Sequence, residues 1–379
     1  MNKHKVIILY SFAVFAFAGC KKDNVDYKYP QPFDGQTTQL QGIAGTELGV
    51  NAANSVYVDF STGRITPVNR TSWSVGLYPG KEFKLIINHS MGATVFQTDK
   101  TNLADISTAD SATMASAGTL DFTSPNIKKL VDPVTGLAAD YLNGLVIKDI
   151  PMTEGESKVY ILNSGKAGMA EMTVPTTADP TSRKVVFPWY KFKVYQGING
   201  YIMQFARIGV VVPKYNDPSY NKDLSYNFNY INFASGAVNP EPAKALWDIE
   251  WTWTTYQDAN GVPVRTNNFV LINFLGGVSA AQLTGNTTLN FDNFTAANLA
   301  NLKPEDYLAT RDAIGVKWRR DVGTDGQTSV IPNLFYVIKD AENNYYKLRF
   351  KSSSNIDGGA AGKPVIEYRL VQSAPNPGI

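Results

Sequence analysis

Apolar residues in this chain recur at every second position, in short runs closed by Gly, Asn, Asp or Pro. That period restricts the fold more than any other feature. Val56, Val58 and Phe60 alternate with Tyr57 and Asp59 ahead of Ser61-Thr62-Gly63. Trp73, Val75 and Leu77 alternate with Ser72, Ser74 and Gly76, and Phe83, Leu85 and Ile87 with Lys84 and Ile86. Trp247, Ile249, Trp251 and Trp253 share one face, with Asp248, Glu250 and Thr252 on the other. Leu334 to Phe350 reads as a hairpin turning at Asp340-Ala341-Glu342-Asn343-Asn344. A period of two puts alternate side chains on opposite faces, as a sheet with one buried face requires. The expected fold is mostly β, built of antiparallel, sandwich-like sheets with few short helices. Helical patches are expected only at Ala296 to Leu302 and at Glu305 to Ala313, where Pro304 occupies a first-turn position.

The runs also repeat in order. Val56-Tyr57-Val58-Asp59-Phe60-Ser61-Thr62-Gly63 returns as Asn229-Tyr230-Ile231-Asn232-Phe233-Ala234-Ser235-Gly236, and Trp73-Ser74-Val75 as Trp247-Asp248-Ile249. Phe83 to Asn88 is echoed by Phe269 to Asn273, Val159 to Leu162 by Phe335 to Ile338, and Tyr190 to Val194 by Tyr346 to Phe350. Two tandem related β units are expected, over residues 45–212 and 213–379, with Trp73 and Trp247 at equivalent buried positions.

The N-terminus has the order of a targeting segment. Lys3, His4 and Lys5 precede an apolar run from Val6 to Phe17, shorter than the roughly 20 residues a membrane span needs. Phe17-Ala18-Gly19-Cys20 resembles a bacterial lipobox, with Phe where Leu is usual, and Cys20 is the only Cys in the chain. Residues 1–19 are expected to be a signal peptide, Cys20 the lipidated residue, and residues 20–44, polar with Pro30 and Pro32, a flexible tether. Loss of Lys3 and Lys5 would take the formal net charge from +2 to zero, which offers nucleic acid no basic face. A single Cys and two His exclude a disulfide framework, a Cys-based zinc site and an HExxH metalloenzyme. Asp248 and Glu250 are the paired carboxylates a glycosidase would use, but their alternation reads as a solvent face, and no enzyme is expected. Trp251 and Trp253 could offer an aromatic binding surface. Asp321 to Gly326 hints at a calcium loop, lacks the full ligand set, and reads as a turn.

Several blocks together resemble the HmuY-like family of haem-binding surface lipoproteins. They are Tyr57 to Gly63 before Trp73, Phe83 to Asn88 with Gly92-Ala93-Thr94-Val95-Phe96, and Trp247-Asp248-Ile249. Asn273 with Gly276-Gly277-Val278, Ile314 to Trp318, and the hairpin from Phe335 to Phe350 complete the set. The resemblance implies an all-β fold, an outer-membrane location, and haem held between strand-connecting segments by two axial side chains. It also implies haem or haem proteins as partners, with an outer-membrane transporter as a further one. Beyond Met203 there is no Met, His or Cys, so the second unit could offer only a Tyr such as Tyr307. In the first unit the ligand candidates are Met114 and Met152, with His89 as a substitute, and Met91, Met169 and Met172 nearby. Phe122, Tyr141 and Leu145 are expected to cover the porphyrin. A non-haem surface module that binds glycan or protein on the same fold stays open beside this reading.

Overall fold

The computed structural model describes residues 31–166, 189–210, 215–258, 260–322 and 327–375. Cys20, Met169, Met172 and residues 323–326 of the calcium-like turn lie outside the described residues. Along the chain the first strands are β1 (Gly35–Gln39), β2 (Asn54–Asp59), β3 (Arg64–Asn69), β4 (Val75–Leu77), β5 (Leu85–Ile87) and β6 (Thr94–Gln97). Helices α1 (Thr108–Ser116) and α2 (Ala138–Gly144) follow, then β7 (Tyr160–Asn163), β8 (Trp189–Gln196), β9 (Gly200–Arg207) and β10 (Ser219–Asn221). Next come β11 (Asn229–Asn232), β12 (Gly236–Val238), β13 (Ile249–Gln257), β14 (Pro263–Ile272), β15 (Ser279–Thr284) and α3 (Ala296–Leu299). The last are β16 (Arg319–Val322), β17 (Gln327–Val330), β18 (Leu334–Lys339), β19 (Tyr345–Ser352) and β20 (Val365–Gln372). The fold is mostly β, and every strand pairing within the sheets is antiparallel.

Two pairs of sheets enclose two cores. In the first lobe a five-stranded sheet, β10-β9-β8-β7-β6, faces a four-stranded one, β12-β11-β4-β5. Val75, Leu77, Leu85, Leu162, Phe192, Met203, Ile231 and Phe233 fill the space between them. In the second lobe β1-β20-β19-β18-β15 faces β14-β13-β2-β3 over Val58, Phe60, Ile249, Trp251, Tyr336, Leu348 and Tyr368. Packing therefore divides the chain elsewhere than between residues 212 and 213. The first lobe is continuous from about Trp73 to Val238, and the second joins β1–β3 to β13–β20.

The sheets of the two lobes have corresponding strand orders, β6-β7-β8-β9-β10 beside β15-β18-β19-β20-β1 and β5-β4-β11-β12 beside β14-β13-β2-β3. Val58 lies opposite Ile249 and Tyr57 opposite Glu250, while Ile231 lies opposite Val75 and Tyr230 opposite Gly76. Trp73 and Trp247 are equally buried, each met edge-on by a Tyr of the neighbouring hairpin: Tyr230 at 4.9 Å and Tyr57 at 5.2 Å. The backbone N–H of Phe60 donates to Asp248 Oδ2 (2.7 Å), and that of Phe233 to Ser74 Oγ (3.1 Å).

Four local expectations need correction. Residues 35–39, assigned to the tether, form β1 on the edge of a sheet beside β20, and Leu40 is fully buried. Polar side chains hid this, because an edge strand is held chiefly by its backbone ladder. Asp248 and Glu250 do not face solvent: both are buried, since β13 lies inside its sheet with both faces covered. Trp251 is buried in the core, and Trp253 lies beneath the Arg70 guanidinium (5.6 Å), so the two form no aromatic surface. The Glu305–Ala313 helix reduces to a 3₁₀ turn at Pro304–Asp306, after which Leu308 exchanges backbone hydrogen bonds with Ala280. Conversely α1 was not expected, although Ser107 and Asp110 form the capping box that starts it.

Candidate functional site

Between the lobes lies a small polar cavity of about 30 Å³, and matching turns deliver its walls. Each turn follows a strand and opens with a buried Asn. Asn88 Nδ2 donates to the carbonyls of Arg70 (2.8 Å) and Trp73 (2.7 Å). Asn273 Nδ2 donates to those of Lys244 (2.7 Å) and Trp247 (2.8 Å). Their Oδ1 atoms accept from the N–H of Met91 and of Gly276, which caps a 3₁₀ turn at His89–Met91 and another at Phe274–Gly276. Gly92 (φ 66°) and Gly277 (φ 99°) end the turns in the left-handed region, where glycine carries little steric penalty. The spacing Asn-x-x-x-Gly was therefore a readable signal for this pair.

The turns place His89 and Phe274 against the cavity, beside Tyr141, Asn227, Tyr230, Glu241, Trp247, Glu250 and Arg311. His89 Nδ1 is 3.1 Å from Thr254 Oγ1, and its ring lies edge-on to Trp73. Burial, then the charge of Arg311, hold it well below the usual histidine range, so the imidazole is neutral. Glu241 accepts from Tyr230 Oη, from Asn227 Nδ2 (2.9 Å) and from Trp247 Nε1 (3.2 Å). Burial pushes its carboxyl up to about 7 against the pull of these donors. Burial also raises Glu250, opposed by Arg311. Arg311 is only 7% exposed; its guanidinium lies 5.2 Å from the Tyr141 ring centre, and Nη1 meets no acceptor among the described residues. Glu241 and Arg311 were not singled out from the sequence, and Glu250 was read only with Asp248 as a solvent face, because nothing local marks the three as partners: they meet only across the lobes.

A larger groove, about 560 Å³, lies on the outer face of the first lobe's five-stranded sheet. Lys193 on β8 and Gln204 on β9 form its floor, and Thr101, Asn102, Glu154, Tyr215 and Asp217 its walls. Lys193 Nζ donates to the Thr101 carbonyl (2.7 Å) and lies 3.6 Å from Glu154 Oε1. Gln204 Nε2 donates to Glu154 (3.0 Å) and to Asp217 (2.6 Å), which ties the two carboxylates together.

The ligand candidates fall in three places. His89 is sealed in the interlobe cavity, far smaller than the roughly 300–1,000 Å³ that cofactor-sized ligands occupy. Met152 is 74% exposed on the loop that carries Glu154 and Gly155 to the groove. Met114, on α1, packs against the same apolar cluster as Tyr215 and Phe122. These two thioethers thus belong to segments on the groove side of the sheet, apart from His89. Met91 is buried beside Trp73, Leu162 and Tyr190 in a separate pocket of about 180 Å³. Tyr141 and Leu145 lie in the interlobe cluster, away from the groove. Tyr307 packs edge-on to Tyr345, and burial, then Tyr345 and Asp306, push its phenol up to about 12, so it is no phenolate at neutral pH.

A family model described as HmuY protein matches residues 51–368, spanning both lobes. No curated protein and no solved structure matches the chain.

Proposed function

The chain belongs to the HmuY family, and from that premise we propose that it is a lipid-anchored protein of the outer-membrane surface that binds haem as cargo, for capture or delivery. The family match over residues 51–368 carries this reading. The groove beside β8 and β9 supports it in size, and Met152 and Met114 supply soft donors from segments on that side. An outer-membrane transporter that takes over the cargo is the partner this role calls for. The polar floor formed by Lys193 and Gln204 suits the carboxylate edge of a porphyrin better than its apolar face.

Titration of residues 21–379 with haem tests the proposal. A Soret shift is expected, tighter for ferrous than for ferric haem, because thioether sulfur is a soft ligand. Met114→Ala and Met152→Ala should each weaken the low-spin bands at least tenfold in affinity; variants that bind like the parent would refute this ligand pair. The polar groove, with the Tyr215 ring at its edge, favours a second reading in which a glycan binds there without haem. In that case haem would bind in neither redox state, and Gln204→Ala with Tyr215→Ala would abolish oligosaccharide binding.

Anchoring at Cys20 has its own test. Cys20→Ser should abolish incorporation of labelled fatty acid and move the protein from the membrane to the soluble fraction. Unchanged membrane retention would contradict it. Among the described residues no helix is long and apolar enough to cross a membrane.

A further inference from the structure

Glu241 occupies the connection between β12 and β13, where the chain passes from the first lobe to the second. Its three donors belong to both sides of that passage. Asn227 and Tyr230 come from the first lobe, Trp247 from the start of the second. Asn227 Nδ2 also reaches Asn273 Oδ1 (2.8 Å), which connects the carboxyl to the turn of the second lobe. Other titratable groups face Glu241 from every neighbouring element: Tyr57 on β2, His89 on its 3₁₀ turn, Tyr141 on α2, Glu250 on β13, and Arg311 ahead of β16. One cation thus stands against two carboxyls, and its Nη1 has no direct acceptor among the described residues. A cavity of about 30 Å³ admits one or two waters, too few to hydrate a second ionised carboxylate.

From this arrangement we infer that Glu241 is a proton-operated latch between the lobes: protonated, it holds the seam shut, and loss of its proton loosens β11 and the β12–β13 connection. With Glu241 neutral, Arg311 and Glu250 balance each other in the cavity, and Tyr230 Oη stays hydrogen-bonded to the Glu241 carboxyl. With Glu241 ionised, a second negative charge faces Glu250, and water must enter to screen it.

The direction of the pH effect follows from linkage. The carboxyl stands at about 7 in the folded chain against an ordinary value of 4.5. Between those values the folded state holds a proton that the unfolded state has released. Stability therefore rises as pH falls from 7 towards 4.5 and is flat above that window. Asp132, raised to about 6 by burial, acts in the same direction from a separate place: it accepts from the N–H of Ile87 and Val146.

Amide hydrogen exchange of the 21–379 chain, followed from pH 6 to 8.5 and corrected for intrinsic rates, tests the latch. Peptides covering residues 227–238 should lose protection at least tenfold as pH rises through 7, and Glu241→Gln, neutral throughout, should show a flat profile. An equal loss in Glu241→Gln, or no loss in the parent, would overturn the inference. The Trp247 indole N–H resonance supplies an independent readout, since it donates to the titrating oxygen. If Glu241→Gln does not fold, Tyr230→Phe removes one donor to the carboxylate and should move the indole midpoint upward. An unmoved midpoint would equally overturn the inference.

Discussion

Excised as residues 71–240, the first lobe is expected to unfold in one cooperative transition, whereas the fragment 45–212 is expected to remain unfolded. The longer cut keeps β11 beside β4, with Ile231 opposite Val75. It also keeps Phe233, whose ring meets Phe205 at 4.7 Å and Tyr190 and Phe192 at 5.3 Å each. The cut at residue 212 removes both side chains and leaves β4 as a bare edge. Losing a buried Ile and a buried Phe costs about 2–5 and 3–5 kcal/mol, comparable to the roughly 5–15 kcal/mol that holds a whole domain. Urea titrations followed by circular dichroism would separate the two fragments, and equal stability would refute this division. The matched registers lead us to propose that the lobes are two copies of one unit. The arm β1–β3 completes the second copy as β10–β12 complete the first.

Asn273→Ala should destabilise the protein by about 4 kcal/mol, among the largest effects of any single polar substitution in the chain. The side chain is 1% exposed and makes four hydrogen bonds at once. Nδ2 donates to the carbonyls of Lys244 and Trp247, and Oδ1 accepts from Gly276 N–H and Asn227 Nδ2. Alanine leaves two carbonyls and one Asn227 N–H without partners in a buried place, where each unmet group costs about 1–3 kcal/mol, while Gly276 N–H keeps the Asn273 carbonyl (3.0 Å). Asn273→Asp should be at least as harmful, because it sets a carboxylate against two carbonyl oxygens. Asn88→Ala should cost a similar amount, since Asn88 holds the equivalent turn through Arg70 and Trp73. The measurement is the urea midpoint at constant slope; a shift below about 1 kcal/mol for either alanine variant would contradict the role given to these turns.

The β class, the terminal hairpin at Asp340–Asn344 and the family were legible in the chain, because each is written in neighbouring residues. Alternation with a period of two is a property of one strand, and Asp340 accepts from the N–H of Glu342 and Asn344 within its own turn. Tertiary structure alone decided which strands pair. Val58 and Ile231 look alike in sequence, yet each joins the sheet of the other half, and nothing in a single strand names its partner. The same holds for burial. Asp248 and Glu250 read as a wet face until β2 and the neighbouring lobe cover them, and β1 reads as tether until β20 lies beside it. The candidate ligands separated for this reason too: the turn that buries His89 and the loop that exposes Met152 differ in what packs over them. Glu241, Glu250 and Arg311 are far apart in the chain and meet only at the seam. Their shared chemistry depends on desolvation and distance in space, and neither quantity exists until the lobes have closed.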